Sequence, residues 1–150
     1  MKILIVEDDD YKLERIKAFA KGEFDSVVMT TSDNLKVALE AIAEDSYDLI
    51  FVDMAIPSHP TMAGQGTPVP FNTGGLSVLM ELAALNRKDP CIIITQYPDI
   101  EISGEYIPLS QVKEKLPLLL ECEVMACIFY DEDNDVWQNE LTAVFKDVKL

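Results

Sequence analysis

Three acidic residues stand where two apolar runs of the sequence end. The run KILIV at residues 2–6 leads into Glu7 and Asp8, and the run YDLIFVD at residues 47–53 ends in Asp53. Carboxylates that lie close together repel one another, so one pKa should rise unless a cation is present. Mg²⁺ suits such a cluster because it prefers hard oxygen ligands and is often held by one or two carboxylates and a phosphate. A carboxylate beside Mg²⁺ can also act as a nucleophile and form an aspartyl phosphate.

A hydroxyl group ends a further apolar run. The run CIIIT finishes at Thr95, whose hydroxyl could donate a hydrogen bond to a phosphoryl oxygen; the alternative is an ordinary buried threonine of a strand. The first acidic pair also has an alternative role, which is to cap the first helix. The next two acids, Asp9 and Asp10, suit capping better.

Strands and helices must alternate to bring these residues together. Apolar, β-branched runs predict five strands, and segments with apolar residues at helical spacing separate them. The predicted strands are residues 2–6, 26–30, 47–53, 91–95 and 123–130, and the predicted helices include 11–22, 32–45, 74–86 and 135–148. This alternation predicts an α/β, flavodoxin-like doubly wound fold with a parallel five-stranded sheet of order 2-1-3-4-5. Since the first and third strands are neighbours in that order, we expect the acids that follow them to share one crevice.

Length, charge and cysteine content limit the class of protein. The 150 residues fit one domain, residues 1–150,. The net charge of −15, with 12 basic against 27 acidic residues, argues against binding to nucleic acid or to an anionic membrane,. It suits divalent cations or a basic partner, although solubility alone could explain most surface acids. No apolar run approaches the roughly 20 residues that cross a bilayer. The three cysteines indicate reduced thiols and a cytoplasmic location,.

Two predicted connections are long for this fold. They are the one after the third strand, residues 54–75, and the one after the fourth strand, residues 96–110. Proline and glycine exclude a helix through most of the first. Both leave the sheet at the edge where the acids lie, so they could cover the site or present a surface to a partner; a tolerated surface insertion is the alternative.

The motifs, taken in order, resemble the receiver domains of bacterial two-component response regulators. The segment ILIVEDD resembles the first-strand motif with its acid pair, Glu7 and Asp8. The segment DLIFVDMAIP resembles the phosphoacceptor motif, with Asp53 as the accepting residue, and IIIT resembles the motif that ends in the switch hydroxyl, here Thr95. The resemblance implies Mg²⁺ held by the three acids and by the backbone carbonyl of Ala55.

The sequence departs from the receiver pattern after the last strand. Receivers normally carry a lysine there that pairs with the phosphoryl group, and counting back from the final helix places Tyr130 at that position. Cys127 stands where an aromatic residue is usual. Tyr130 could donate a hydrogen bond or simply pack, but it cannot supply a positive charge, and charge-assisted hydrogen bonds are about twice as strong as neutral ones. We therefore expect a less stabilised phosphorylated state or a different switch.

The resemblance implies a signalling domain rather than an enzyme. We expect a stand-alone receiver that a histidine kinase or phosphotransfer protein phosphorylates on Asp53 and that acts through contacts with a downstream protein; a homodimer is also compatible with the sequence. The alternative is a pseudo-receiver, a protein-interaction module whose regulation does not use phosphate. A small phosphatase or hydrolase is disfavoured because Ala55 stands where such an enzyme would need a second acid.

Overall fold

Strands and helices alternate along the part of the chain that the computed structural model describes, which is residues 1–60, 64 and 74–148. The strands are β1 (Lys2–Val6), β2 (Val28–Ser32), β3 (Leu49–Val52), β4 (Cys91–Thr95), β5 (Asp99–Ile102), β6 (Glu105–Pro108) and β7 (Ala126–Phe129). The helices are α1 (Asp10–Glu23), α2 (Leu35–Glu44), α3 (Gly74–Ala84), α4 (Leu109–Leu120) and α5 (Val136–Val148).

The main sheet is parallel and has five strands in the order β2-β1-β3-β4-β7. The fifth strand predicted from the sequence is β7, so the predicted fold and strand order are confirmed. The second strand begins two residues later than predicted, at Val28. Val6 pairs with Val52, and Thr95 pairs with Phe129. The carboxyl ends of the strands therefore lie along one edge of the sheet, which is the edge that carries the predicted site.

Helices cover both faces of the sheet, which explains why its central strands are apolar throughout. On one face, alternate strand residues pack against α2, α3 and α4; on the other, the remaining ones pack against α1 and α5. All four residues of β3 are buried. The residues of α5 that enter the core are Trp137, Leu141 and Phe145, whereas Val136 is 56% exposed.

The connection at residues 96–110 is not an open loop. It contains β5 and β6, which form an antiparallel hairpin. Ser103 and Gly104 have φ angles of 53° and 82°, and two consecutive positive φ angles are what a tight type I′ hairpin turn requires. Ile100, Ile102 and Ile107 are buried in the core cluster that also contains α4. The hairpin is therefore an integral part of the domain.

The other long connection, residues 54–75, falls largely outside the described residues. Its first part supports α2, because the carbonyls of Pro57 and Ser58 accept hydrogen bonds from the backbone N–H groups of Leu35 and Lys36. No helix in the described ranges has both the length and the apolar character needed to cross a membrane.

Candidate functional site

The structure brings together the three acids singled out in the sequence. One carboxylate oxygen from each of Glu7, Asp8 and Asp53 lies within 4.8 Å of those of the other two. The pairing of β1 with β3 sets this geometry, since the N–H of Asp53 donates to the carbonyl of Val6 at 3.0 Å. Because β1 and β3 end side by side, the acids that follow them lie close together.

The three acids have different surroundings. Glu7 is only 2% exposed, and burial, aided by the charge of Asp53, raises its pKa to about 7 despite the opposing charge of Lys12,. Partial desolvation also raises the pKa of Asp8, and Asp53 adds to that effect. Asp53 is buried, and its Oδ1 accepts a hydrogen bond from the N–H of Met54 at 2.8 Å. The surroundings of the three acids therefore solvate their negative charge poorly.

A buried lysine that the sequence reasoning missed lies among these acids. The Nζ of Lys12 is 2.6 Å from Oε2 of Glu7 and 3.2 Å from Oδ2 of Asp53, and it donates to the carbonyl of Ile94 at 2.8 Å. Lys12 is 2% exposed. Leu13 of α1 is only partly buried, whereas the buried positions of this helix are 12, 16 and 20. Their four-residue spacing is the signal that could have revealed this lysine.

The start of α1 explains how Lys12 reaches the site. Asp9 is the N-cap residue, and its side chain accepts a hydrogen bond from the N–H of Lys12 at 2.8 Å. Helical side chains lean toward the helix N-terminus. A long side chain in the first turn of α1 therefore extends back over the ends of the strands.

Thr95 and Tyr130 lie at the ends of β4 and β7, at the same edge of the sheet as the acids. Thr95 is fully buried at the end of β4, and its carbonyl accepts a hydrogen bond from the N–H of Tyr130 at 2.8 Å. Tyr130 is buried as well, with its ring centroid 5.4 Å from Nζ of Lys12. Its hydroxyl accepts a hydrogen bond from Arg15 at 3.1 Å. Ala55 is buried two residues beyond Asp53, and its part as a metal ligand stays a prediction.

Arg15 fixes the segment that contains Tyr130. Its guanidinium donates to the carbonyls of Glu132 and Asn134 at 3.1 and 3.0 Å and pairs with the carboxylate of Asp135. It also lies 5.4 Å from the ring centroid of Tyr130. The residues after β7 are thus tied to α1, which holds the aromatic ring against the site.

Gly75, in the first turn of α3, touches the backbone of Asp53. Its N–H donates to the carbonyl of Met54 at 3.0 Å. A Cβ atom at this position would lie 2.3 Å from the carbonyl oxygen of Asp53 and 2.4 Å from Cε of Met54. Glycine is therefore required for α3 to approach the site this closely.

The donor set fits Mg²⁺. Three carboxylates converge, and hard oxygen ligands of this kind are the ones that Mg²⁺ prefers. Oε2 of Glu7 is buried, and within the described ranges it has no hydrogen-bond partner, so its contact with Lys12 is an ion pair without hydrogen-bond geometry. This oxygen already faces one cation, the ammonium of Lys12 at 2.6 Å, so the surroundings of Glu7 suit positive charge.

Known proteins give two kinds of likeness. A family model described as the response regulator receiver domain matches residues 3–111. The Detocs response regulatory protein DtcB of Vibrio alginolyticus is 35% identical over 149 residues, which cover 96% of this chain and 99% of that protein. The family match ends before β7, the strand that precedes Tyr130.

Solved structures share the fold at low sequence identity. A receiver domain of a Francisella response regulator is 19% identical, with a TM-score of 0.58 and 98% of each chain covered. The response regulator TrrA of Thermotoga maritima, solved in complex with Mg²⁺ and BeF, is 18% identical, with a TM-score of 0.59 and coverage of 95% of this chain and 97% of that one. These structures support the architecture described above.

Proposed function

The chain belongs to the receiver domains of response regulators, the signalling domains of two-component systems, and from this premise we propose that it is phosphorylated on Asp53 in a Mg²⁺-dependent phosphorelay. Receiver domains interact with histidine kinases or phosphotransfer proteins and with downstream effectors. The proposed donor is a protein of the first kind, and the proposed output is contact with a downstream protein. The observation that carries this proposal is the convergence of Glu7, Asp8 and Asp53 within 4.8 Å.

The same three acids would hold Mg²⁺, and the backbone carbonyl of Ala55 would be a further ligand. When bound, Mg²⁺ neutralises negative charge on the transferring phosphoryl oxygens. The convergence of the three carboxylates, whose mutual repulsion a divalent cation would relieve, supports this assignment,.

Asp53 supplies the nucleophile. One of its carboxylate oxygens forms a bond to phosphorus, while the bond from phosphorus to the donor's imidazole nitrogen breaks and leaves its electron pair on that nitrogen. The N–H of Met54 holds the carboxylate in a fixed orientation through Oδ1, which favours in-line attack. Thr95 donates its hydroxyl to a phosphoryl oxygen. Burial of Asp53 and Thr95 limits access of bulk water to the new bond,.

The direct test is to phosphorylate the purified chain with a small donor. We expect incubation with Mg²⁺ and acetyl phosphate to add the mass of one phosphoryl group to the intact protein, and EDTA to prevent this gain. Asp53→Asn should abolish the adduct. Asp10→Asn, which removes an equal charge from an exposed residue, should keep it. Because an acyl phosphate is labile, titration with beryllofluoride should accompany the mass measurement.

A pseudo-receiver is the competing function, and the position of Lys12 is the observation that favours it. Its ammonium lies 3.2 Å from Asp53, so a cation of the protein itself already faces the acids. Absence of both the adduct and beryllofluoride binding would contradict phosphorylation. If Asp53→Ala then binds a partner as tightly as the wild type does, the result would support an interaction module.

A further inference from the structure

We propose that Lys12, carried by the first turn of α1, supplies the positive charge that faces the phosphoryl group on Asp53. This inference rests on the proposed function. It explains how a positive charge can reach the phosphoryl group although Tyr130, a neutral residue, stands after β7 where receivers normally carry a lysine. Lys12 supplies that charge from the N-terminal part of the sequence.

The ammonium of Lys12 occupies the centre of the site. Its negatively charged or polar neighbours come from the ends of three different strands: Glu7 after β1 at 2.6 Å, Asp53 after β3 at 3.2 Å, and the carbonyl of Ile94 in β4 at 2.8 Å. The contact with the carbonyl of Ile94 is a hydrogen bond, and the two carboxylates face the ammonium as ion pairs. Burial of the charge is tolerated only because it is paired in this way.

Tyr130 provides a surface for this cation. Its ring centroid is 5.4 Å from Nζ of Lys12, within the range of a cation–π interaction. The hydroxyl is engaged by Arg15 at 3.1 Å, which in turn contacts the segment after β7. The ring of Tyr130 therefore helps to position the ammonium of Lys12, although Tyr130 carries no positive charge itself.

Phosphorylation increases the negative charge at Asp53 that faces the ammonium of Lys12. A phosphoryl group carries about −1.5 to −2 charge, whereas the Asp53 carboxylate carries a single charge, so the ammonium gains a stronger counter-ion as the new oxygen–phosphorus bond forms. Lys12 therefore balances the site before phosphorylation and stabilises the product afterwards.

Binding of beryllofluoride in the presence of Mg²⁺ tests this role without relying on the rate of phosphorylation. Trp137 is the only tryptophan of the chain, and its ring centroid lies 5.5 Å from that of Tyr130, so its fluorescence can report binding. We expect Lys12→Met to weaken beryllofluoride binding about tenfold or more, as loss of a charge-assisted contact should. Lys21→Met, at an exposed position of the same helix, should bind like the wild type. Transfer of the charge in Lys12→Met/Tyr130→Lys should restore much of the affinity.

The outcomes separate this inference from the proposed function. If the wild type does not bind beryllofluoride, the proposed function and the role of Lys12 both fail. If the wild type and Lys12→Met bind equally well, phosphorylation of Asp53 stands and the role of Lys12 is refuted. Should Lys12→Met not fold, the ¹⁵N resonance of the Lys12 ammonium in the wild type gives the answer, with Lys12→Arg used for assignment. That resonance should shift on addition of beryllofluoride, and an unchanged resonance would refute the proposal.

Discussion

Both edges of the central sheet place a basic side chain against carboxylates, with opposite effects on the pKa of the acids. At the carboxyl edge, burial raises the pKa of Glu7 to about 7 even though Lys12 is adjacent. At the amino edge, burial would also raise the pKa of Asp89, but hydrogen bonds from Arg87 and from the N–H of Tyr47 lower it below its ordinary value. A basic neighbour is therefore present at both edges, but the pKa is raised for Glu7 and lowered for Asp89.

The amino-edge cluster satisfies each of its charged oxygens. Arg87 donates through Nε to Oδ1 of Asp89 at 2.9 Å and pairs with Oδ2 through Nη2, which is the bidentate geometry that arginine favours. Oδ2 also accepts the N–H of Tyr47 at 2.7 Å. The third guanidinium nitrogen donates to the carbonyl of Ile42 in the last turns of α2. The cluster thus joins the turn before β3, the turn before β4 and the end of α2.

The difference lies in the ratio of donors to acids. At the carboxyl edge one ammonium faces two carboxylates, with Asp8 close by, and Oε2 of Glu7 has no hydrogen bond within the described ranges. At the amino edge one carboxylate receives three donors. Donors of the protein therefore satisfy the acid at the amino edge, whereas the acids at the carboxyl edge outnumber the donors that the described residues supply.

The largest expected effect comes from crowding the carboxyl edge. Gly75→Ala would place a methyl group 2.3 Å from the carbonyl oxygen of Asp53, and we expect a loss of about 3 kcal/mol in the free energy of unfolding. Gly22→Ala is the matched control, since a Cβ there has no neighbour within 4 Å and should stabilise α1 by about 0.5 kcal/mol. Urea denaturation measures both. Equal stability of Gly75→Ala and the wild type would show that α3 does not press against the site.

The next effect tests the amino edge through pH. Because the folded pKa of Asp89 is depressed, its contribution is complete above the ordinary carboxyl pKa of about 4 and disappears as the pH falls through the folded value. We expect Asp89→Asn to lose about 1.5–3 kcal/mol at neutral pH, and this deficit should shrink in acid. Mg²⁺ should leave it unchanged. Asp99→Asn, an exposed acid, serves as control, and a deficit that persists undiminished in acid would contradict the ion pair.

The smallest effect concerns the contact between Tyr130 and Arg15. Tyr130→Phe removes a hydrogen bond of 3.1 Å, and we expect the free energy of unfolding to fall by about 1 kcal/mol. Urea denaturation followed by Trp137 fluorescence measures it, with Tyr97→Phe, an exposed position, as control. In a double-mutant cycle with Arg15→Met the two losses should not add. Simple additivity would show that the hydroxyl and the guanidinium do not interact.

The sequence predicted the acidic cluster because strand ends are easy to locate. Apolar runs stop at Val6 and Val52, and parallel topology sends whatever follows them to one edge,. Lys12 was not predicted because its place depends on the direction and length of a side chain rather than on the position of its Cα. A charged residue at four-residue spacing from Ile16 and Ala20 usually lies at the border of an apolar face.

The hairpin was missed for a different reason. Its strands have four residues each, so their alternation is too short to distinguish them from a loop. The dipeptide Ser103–Gly104 and the spacing of Ile100 and Ile102 were the available signals,. Their meaning depends on α4, which supplies part of the apolar surface that covers these isoleucines.

The hairpin also explains how this chain lengthens one connection without disturbing its neighbours. The N–H of Leu109, the first residue of α4, donates to the carbonyl of Pro98 at 2.8 Å, so the segment returns to the point from which it left. The two ends of the hairpin are therefore adjacent, and the hairpin between them packs on the core. Residues could be added or removed at Ser103–Gly104, and neither Thr95 nor the origin of α4 would have to move.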